Sequence, residues 1–299
     1  VTFTATITGG AEPMTFQWQK GTNDVWVNMV DGPNVSGATT TQMVITATFD
    51  DVADYRLVAS NVEGTVYSGV VRLDRVLTTL TDITTPQDAI SIVRGSTPGG
   101  EPVTAAINNN TSKYLNWDDD AAAPFVGPVG FVIRPNAGNT IVSALRFYTA
   151  NDADGRDPAD YVLEGSLDGG DYVVISSGPL ALPSGRNAGG ETLNPLTHNL
   201  QEVRFPNTAG YNIYRLTFNN VKNNASSTSM QIGEIEFLGV VNPNPPPTFT
   251  VVPTDVHANE GASATFTSLA TGPGPITYQW YDVTGGDPGV PLAGQTGPN

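Results

Sequence analysis

Short runs of β-forming residues, each closed by glycine or proline, limit what this chain can fold into. The 299 residues include 32 glycines and 23 prolines. These separate stretches rich in valine, isoleucine, threonine, tyrosine and phenylalanine at intervals of roughly eight to twelve residues, which is typical of sandwiches and barrels. The spacing therefore predicts an all-β chain. Because the sequence has no cysteine, its cores must be held together by packing alone.

The charge balance excludes two classes of partner. The net charge is -16, and lysine and arginine together number only 13. These are too few to neutralise the phosphates of a nucleic acid or an anionic membrane surface. The segment also lacks an apolar run long enough for membrane insertion, and it shows neither an anchor nor an export signal. The acidic surface either attracts divalent cations or is simply solvated.

Three features of residues 1–76 are typical of one kind of β-sandwich. Val1 to Ile7 alternates like a strand B, Trp18 stands where strand C carries its tryptophan, and Asp51 to Asn61 matches an E–F corner followed by strand F. This stretch resembles an immunoglobulin-like domain of the intermediate type. It begins at strand B, so we expect a domain that lacks strand A.

The resemblance to the immunoglobulin-like family carries two further expectations. Tyr55 stands at the corner position, so its hydroxyl is expected to bond backwards to the chain. The family's two bridging cysteines are replaced by Ala5 and Leu57, a small-to-large apolar pair. We expect this pair to pack on Trp18 in place of a disulfide.

The end of the chain repeats its beginning. Ala264 to Gly272 repeats the pattern of Val1 to Gly9, and Trp280 follows as Trp18 does. Residues 249–299 are therefore predicted to be the N-terminal half of a second immunoglobulin-like domain. Two arrangements remain open, namely a longer chain that continues the repeat, and open ends completed by strand donation between neighbouring copies.

The stretch 241–248 is expected to be a linker. It contains Pro243 and the consecutive prolines Pro245, Pro246 and Pro247. Consecutive prolines favour an extended polyproline II conformation, which makes a semi-rigid spacer.

Residues 77–240 carry three further matches in order. Ala106 to Thr111 comes first, Tyr161 to Gly169 lies between an Asp-Pro and an Asp-Gly turn, and Met230 to Gly239 closes the segment. The segment resembles the discoidin-like, galactose-binding-like jelly rolls, which include family-32 carbohydrate-binding modules. The predicted fold class is thus all-β: an immunoglobulin-like sandwich, a discoidin-like β jelly roll and a partial second sandwich.

The jelly-roll resemblance implies a structural calcium ion. Carried over by position, its ligands are oxygens of Asn108, Asn110 and Ser112, the backbone at Gly233 and the carboxylate of Glu234. Calcium takes six to eight oxygens, so main-chain carbonyls must take part. The alternative is that the asparagines only bond their own backbone as Asx-turns.

The same resemblance places ligand binding on loops at one end of the jelly roll, where an aromatic ring stacks on a sugar and polar side chains bind its hydroxyls. Arg156 beside Asp157 is interpreted as a bidentate clamp for hydroxyls. Alternatively, Arg156 pairs with a neighbouring acid and Trp117 fills the core. The predicted ligand-binding residues are Tyr114, Asn116, Trp117, Asp152, Arg156, Asp157, Arg186 and Asn187, and further candidates are Asp118, Asp119, Asp120, Asn151 and Asp154.

Catalytic motifs are missing from the sequence. There is no cysteine nucleophile, no Gly-x-Ser-x-Gly elbow, and His198 and His257 are too far apart for a zinc-binding pair. The favoured hypothesis is a non-catalytic repeat segment of a large secreted or cell-surface bacterial protein, a stalk or filament that displays an adhesive, carbohydrate-binding jelly roll. Its partners would be a glycan or neighbouring copies. The alternatives are a purely structural extracellular filament subunit joined by strand donation, and an accessory binding module of a polysaccharide-degrading enzyme.

Overall fold

The computed structural model describes residues 1–22, 25–77, 79–118, 123–286 and 289–298. Within these ranges the chain forms 23 strands and three short 3-10 helices, so the predicted all-β class is confirmed. None of the helices in the described ranges is long and apolar enough to cross a bilayer. The chain divides into two compact units: residues 1–79 with 194–198, and residues 80–193 with 199–299.

The first unit is a sandwich of two antiparallel sheets. One sheet has the order β1-β5-β4, and the other has the order β3-β2-β6-β7, with β8 also paired to β6. A 3-10 helix, Phe49–Asp51, leads into β6. The strands are β1 (Thr2–Thr4), β2 (Thr15–Thr22), β3 (Val25–Asn28), β4 (Val35–Ser36), β5 (Gln42–Ile45), β6 (Ala53–Asn61), β7 (Gly64–Tyr67) and β8 (Val71–Leu73).

Trp18 and Tyr55 organise the core of this sandwich. Trp18 is 2% exposed and packs in one cluster with Leu57, while Ala5, which follows β1, packs against the same cluster. The Tyr55 hydroxyl donates a 2.7 Å hydrogen bond to the carbonyl oxygen of Asp51, four residues earlier. The predicted backward bond of the corner tyrosine and the apolar replacement of the disulfide are therefore confirmed. Burial raises the pKa of Tyr55 to about 12.

The central part of the chain forms a second, larger sandwich. It contains two 3-10 helices, Val103–Ile107 and Asp154–Arg156. Its strands are β9 (Thr81–Asp82), β10 (Ala89–Arg94), β11 (Tyr114–Trp117), β12 (Val129–Arg134), β13 (Thr140–Tyr148), β14 (Asp160–Ser166), β15 (Val173–Pro179), β16 (Leu200–Arg204), β17 (Ile213–Phe218), β18 (Ser229–Ile232) and β19 (Glu234–Val241).

Two antiparallel sheets of this sandwich share one aromatic core. The five-stranded sheet has the order β10-β12-β17-β14-β15, and the four-stranded sheet has the order β16-β13-β19-β9. Phe131 and Phe218 from the first sheet pack with Phe147 and Phe237 from the second, and all four are fully buried. Alternate residues of each strand face this core, which leaves the intervening side chains on the outer surfaces. A two-stranded sheet, β11-β18, lies beside them and contributes Tyr114 to the same core.

The predicted linker and second immunoglobulin-like half contain four short strands. Val241 belongs to β19, and Thr248 opens β20, which pairs with β21. The prolines between them form no strand. The strands are β20 (Thr248–Val251), β21 (Leu269–Thr271), β22 (Tyr281–Asp282) and β23 (Val290–Pro291).

The internal repeat extends to the bonds around its two tryptophans. The ring centroids of Phe3 and Trp18 lie 6.0 Å apart, and those of Phe266 and Trp280 lie 6.3 Å apart. The interplanar angles of the two pairs are 45° and 43°. Gln17 and Gln279 each donate from Nε2 to the carbonyl oxygen of the following tryptophan, at 2.9 and 2.8 Å. The two surroundings differ in burial, because Trp280 is only half-buried whereas Trp18 lies in a closed core.

Candidate functional site

The candidate site lies on the outer face of the two-stranded sheet β11-β18. Trp117 is the cross-strand partner of Ser229, and Leu115 is the partner of Gln231. Side chains two residues apart on a strand point the same way, so Trp117, Ser229 and Gln231 share one face. The opposite face, with Tyr114, Met230 and Ile232, belongs to the core.

The loop between β13 and β14 crosses this face. Gln231 donates from Nε2 to the carbonyl oxygens of Asp152 and Ala153, at 2.6 and 3.1 Å. Ala153 has a φ of 32°, a left-handed conformation that is unusual for a residue other than glycine. The two bonds from Gln231 hold the loop in this conformation. They also bring the 3-10 helix Asp154–Arg156 into contact with β18.

Unsatisfied polar groups collect at this place. Ser229 and Gln231 are fully buried, yet Ser229 Oγ and Gln231 Oε1 have no hydrogen-bond partner among the described residues. The half-buried Arg156 on the crossing loop likewise makes no side-chain hydrogen bond or ion pair with any described residue. An unpaired buried polar atom costs about 1–3 kcal/mol, so these atoms favour any ligand or ordered water that supplies their hydrogen bonds.

Asp157 anchors the loops around the site. Its side chain is fully buried, and Arg186 binds both carboxylate oxygens, with Nη1 and Nη2 at 2.8 and 2.7 Å. Lys222 binds the same carboxylate from Nζ at 2.9 Å. Three loops therefore converge on one carboxylate. The predicted clamp of Arg156 and Asp157 does not form, because the Asp157 carboxylate is fully buried and is bound by Arg186 and Lys222 instead.

A second ion cluster, centred on Lys113, also holds the crossing loop. Lys113 lies 2.9 Å from Glu101 and 3.0 Å from Asp152. Burial works to lower the pKa of Lys113, but its bonds to the two carboxylates outweigh this and leave the pKa raised. The Asp152 carboxylate is half exposed, so it supports the loop and still faces solvent.

Several predicted ligand residues are structural instead. Tyr114 and Asn116 are both fully buried, and the Asn116 amide donates to the Tyr114 hydroxyl at 2.9 Å. Their predicted ligand contact does not hold, because the same face of β11 that carries them packs into the core. Asn187 is 4% exposed, and its amide donates to the carbonyl oxygens of Thr149 and Asn199. Its role, like that of Arg186, is to position a loop.

The remaining candidates fall into three groups. Asp118 is buried and accepts a hydrogen bond from the backbone of Val126. Asn151 and Asp154 are exposed on the crossing loop. Asp119 and Asp120 lie outside the described residues.

Sequence reasoning missed Ser229, Gln231 and Lys222. A signal for the first two was present, since Ser229-Met230-Gln231-Ile232 alternates polar and apolar residues inside a segment that closes the core. Such alternation indicates a strand with one polar face. Lys222 gave no such signal, because its partner Asp157 lies 65 residues away.

The proposed calcium loop is closed by Glu234. Both carboxylate oxygens of this fully buried residue accept 3.0 Å bonds, one from the backbone of Asn108 and one from that of Asn109. The Asn108 and Asn110 side-chain oxygens accept backbone bonds from Asn110 and Ser112, at 3.2 and 2.8 Å. These are the Asx-turns of the alternative interpretation. Gly233 lies against Thr149, and its backbone donates to the Tyr148 carbonyl oxygen.

The loop offers oxygen atoms, which are the ligands that calcium prefers, but only one of its side chains is a carboxylate. Burial raises the pKa of Glu234 to about 9, and the nearby carboxylates of Asp82 and Glu236 add to the rise. Among the residues that the structure describes, no group of three or more His, Cys, Asp or Glu side chains is placed to hold a metal. A cation here would therefore depend on one carboxylate, on amide oxygens and on main-chain carbonyls.

Comparison with known proteins finds similar solved structures. No protein-family model matches the sequence, and no match was found among curated proteins. The CpGH89CBM32-5 module of Clostridium perfringens, solved with GalNAc-β-1,3-galactose, is 12% identical, with a TM-score of 0.40 over 52% of this chain and 98% of its own. The family 32 module of C. perfringens NanJ, solved with galactose, is 14% identical, with a TM-score of 0.38 over 54% and 97%.

A third similar structure is an F5/8 type C domain from Bacteroides fragilis, 9% identical, with a TM-score of 0.41 over 54% of this chain and 97% of its own. Each of the three spans about half of this chain.

Proposed function

We propose that the jelly roll is a non-catalytic carbohydrate-binding module, and that its ligand lies where the crossing loop meets β18. One observation carries the proposal. Ser229 Oγ and Gln231 Oε1 are buried without hydrogen-bond partners among the described residues, on the same face as Trp117 and under the loop that bears Arg156. Sugar recognition combines an aromatic ring with a few convergent hydrogen-bonding groups, and these residues supply both.

The roles of the surrounding ion pairs follow from the same proposal. Asp157 with Arg186 and Lys222, and Lys113 with Asp152, fix the loops from outside. Preformed loops lower the entropy cost of binding, so these residues position the site without contacting the ligand. The ligand contacts are assigned to Trp117, Arg156, Ser229 and Gln231.

Glycan-array binding followed by affinity electrophoresis tests this proposal. The parent chain is expected to retain at least one glycan, with galactose and N-acetylgalactosamine as the first terminal sugars to try. Trp117→Ala and Arg156→Ala should each weaken retention at least about fivefold, since a lost stacking or charged contact costs about 1–3 kcal/mol. Asn151→Ala, an exposed change on the same loop, serves as the control. If no glycan is retained by the parent, the binding proposal fails.

We propose in addition that a calcium ion occupies the Glu234 loop and stabilises the jelly roll. The donor oxygens named above support it, because a cation would offset the burial of the carboxylate. Removing calcium with a chelator is then expected to lower the melting temperature of the parent by several degrees. The melting temperature of the Glu234→Gln variant should be the same with and without chelator. Equal melting of the parent with and without chelator would contradict it.

The wider setting proposed is an extended secreted or cell-surface bacterial protein in which immunoglobulin-like domains flank the module. The repeated surroundings of Trp18 and Trp280 support such a repeat.

A purely structural filament, joined by strand donation, is the second candidate. It is favoured by Phe249 and Phe266, which are 60% and 46% exposed in the last segment. A parent chain that self-associates and retains no glycan would select this candidate.

A further inference from the structure

A hollow of about 330 Å³ lies on the outer surface of the five-stranded sheet. Val132 on β12 and Ile213 on β17 give it an apolar floor. Their strand neighbours Phe131, Ile133 and Tyr214 are buried in the core, so Val132 and Ile213 point the opposite way. No residue of the loop-end site lines this hollow.

Three hydrogen-bonding side chains from different segments line the hollow. Ser91 comes from β10, Arg134 from the end of β12, and Tyr172 from the turn between β14 and β15. Within the described residues, the Arg134 guanidinium has no hydrogen bond or ion pair, and the hydroxyls of Ser91 and Tyr172 have no hydrogen bond. Arg215, Arg186 and Arg146, by contrast, are all bonded to carboxylates.

The Tyr172 ring is fixed in place before any ligand arrives. The Arg215 guanidinium carbon lies 4.2 Å from the ring centroid, over one face. Arg215 is itself held by Glu164 through two bonds of 2.5 and 2.8 Å. This arrangement keeps the ring ordered at the edge of the hollow that Tyr172 lines.

We propose that this hollow is a second binding site, and that its ligand is an internal stretch of a neutral polysaccharide. An aromatic face and an apolar floor suit the apolar face of a pyranose, while Arg134, Ser91 and the Tyr172 hydroxyl suit its hydroxyl groups. The net charge of -16 and the acidic Asp168 and Asp171 beside Tyr172 repel a polyanionic chain. A site on an open sheet face accepts a chain that continues in both directions.

Affinity electrophoresis with soluble neutral polysaccharides tests the second site. The probes are a β-1,3-glucan, a β-1,4-mannan, a xylan and a galactan, with polygalacturonate as the anionic comparison. The parent is expected to be retarded by at least one neutral probe and not by polygalacturonate. Tyr172→Ala and Arg134→Ala should each weaken that retardation at least tenfold. Tyr281→Ala, a tyrosine change in the last segment, is the matched control.

The Trp117→Ala variant distinguishes binding at the sheet-face site from binding at the loop-end site. Retardation that persists in Trp117→Ala and is lost in Tyr172→Ala supports the sheet-face site, whatever the fate of the loop-end site. Retardation that Tyr172→Ala and Arg134→Ala leave unchanged overturns the sheet-face site, and so does a parent that no neutral probe retards. Arg215 keeps its bonds to Glu164 in Tyr172→Ala, so circular dichroism should show an unchanged fold.

Discussion

Replacing Asp157 with alanine is expected to lower the free energy of unfolding of the central sandwich, β9 to β19, by about 3–5 kcal/mol. The fully buried carboxylate binds Arg186 and Lys222 together. Its removal leaves two cations facing each other in a partly buried place, and this repulsion adds to the loss of three hydrogen bonds. Urea unfolding, followed by circular dichroism, measures the change.

The control for this prediction is Asp152→Ala. Asp152 also forms an ion pair, with Lys113, but its carboxylate is half exposed. Water screens such a pair, so the loss should stay within about 1 kcal/mol. Equal losses in the two variants would show that Asp157 does not hold the loops in the way described.

The second large effect is expected from Trp18→Ala in the sandwich formed by β1 to β8. This variant should lose about 3–5 kcal/mol, because it leaves a cavity in a core that has no disulfide to limit the damage. It also removes the 2.8 Å bond from the indole Nε1 to the Thr40 carbonyl oxygen. Hydrogen exchange of the β6 amides reports the stability of this sandwich directly.

Trp26→Ala is the matched control. Trp26 lies on the outer face of the same sandwich, where the Arg56 guanidinium sits 4.0 Å from its ring. The loss of a partly exposed contact of this kind should cost about 1 kcal/mol. If Trp26→Ala destabilised β6 as strongly as Trp18→Ala, the core assigned to Trp18 would be wrong.

The sandwich architecture could be predicted from sequence because its signals are local. The Tyr55 hydroxyl reaches a carbonyl four residues away. Trp18 follows the first strand at a short distance in sequence, as Trp280 follows the repeat of that strand. Strand alternation and turn residues act over the same short distances. Family resemblance then supplied the order of the elements.

The candidate site was only partly predictable because its contacts are long-range. Trp117 was singled out by its type, and the structure places it at the site, but its strand neighbour Asn116 faces the core. A shift of one residue along a strand exchanges the two faces, and sequence alone does not give that register. The partners of Asp157 lie 29 and 65 residues away, so no local pattern revealed them.

The most direct test of the central claim is a crystal structure of the chain with a glycan that it retains. The account predicts a sugar ring stacked on Trp117, with hydroxyls within hydrogen-bond distance of Arg156 and of Ser229 Oγ or Gln231 Oε1. A glycan bound elsewhere on the jelly roll, with Ser229 and Gln231 paired only to ordered water, would contradict it.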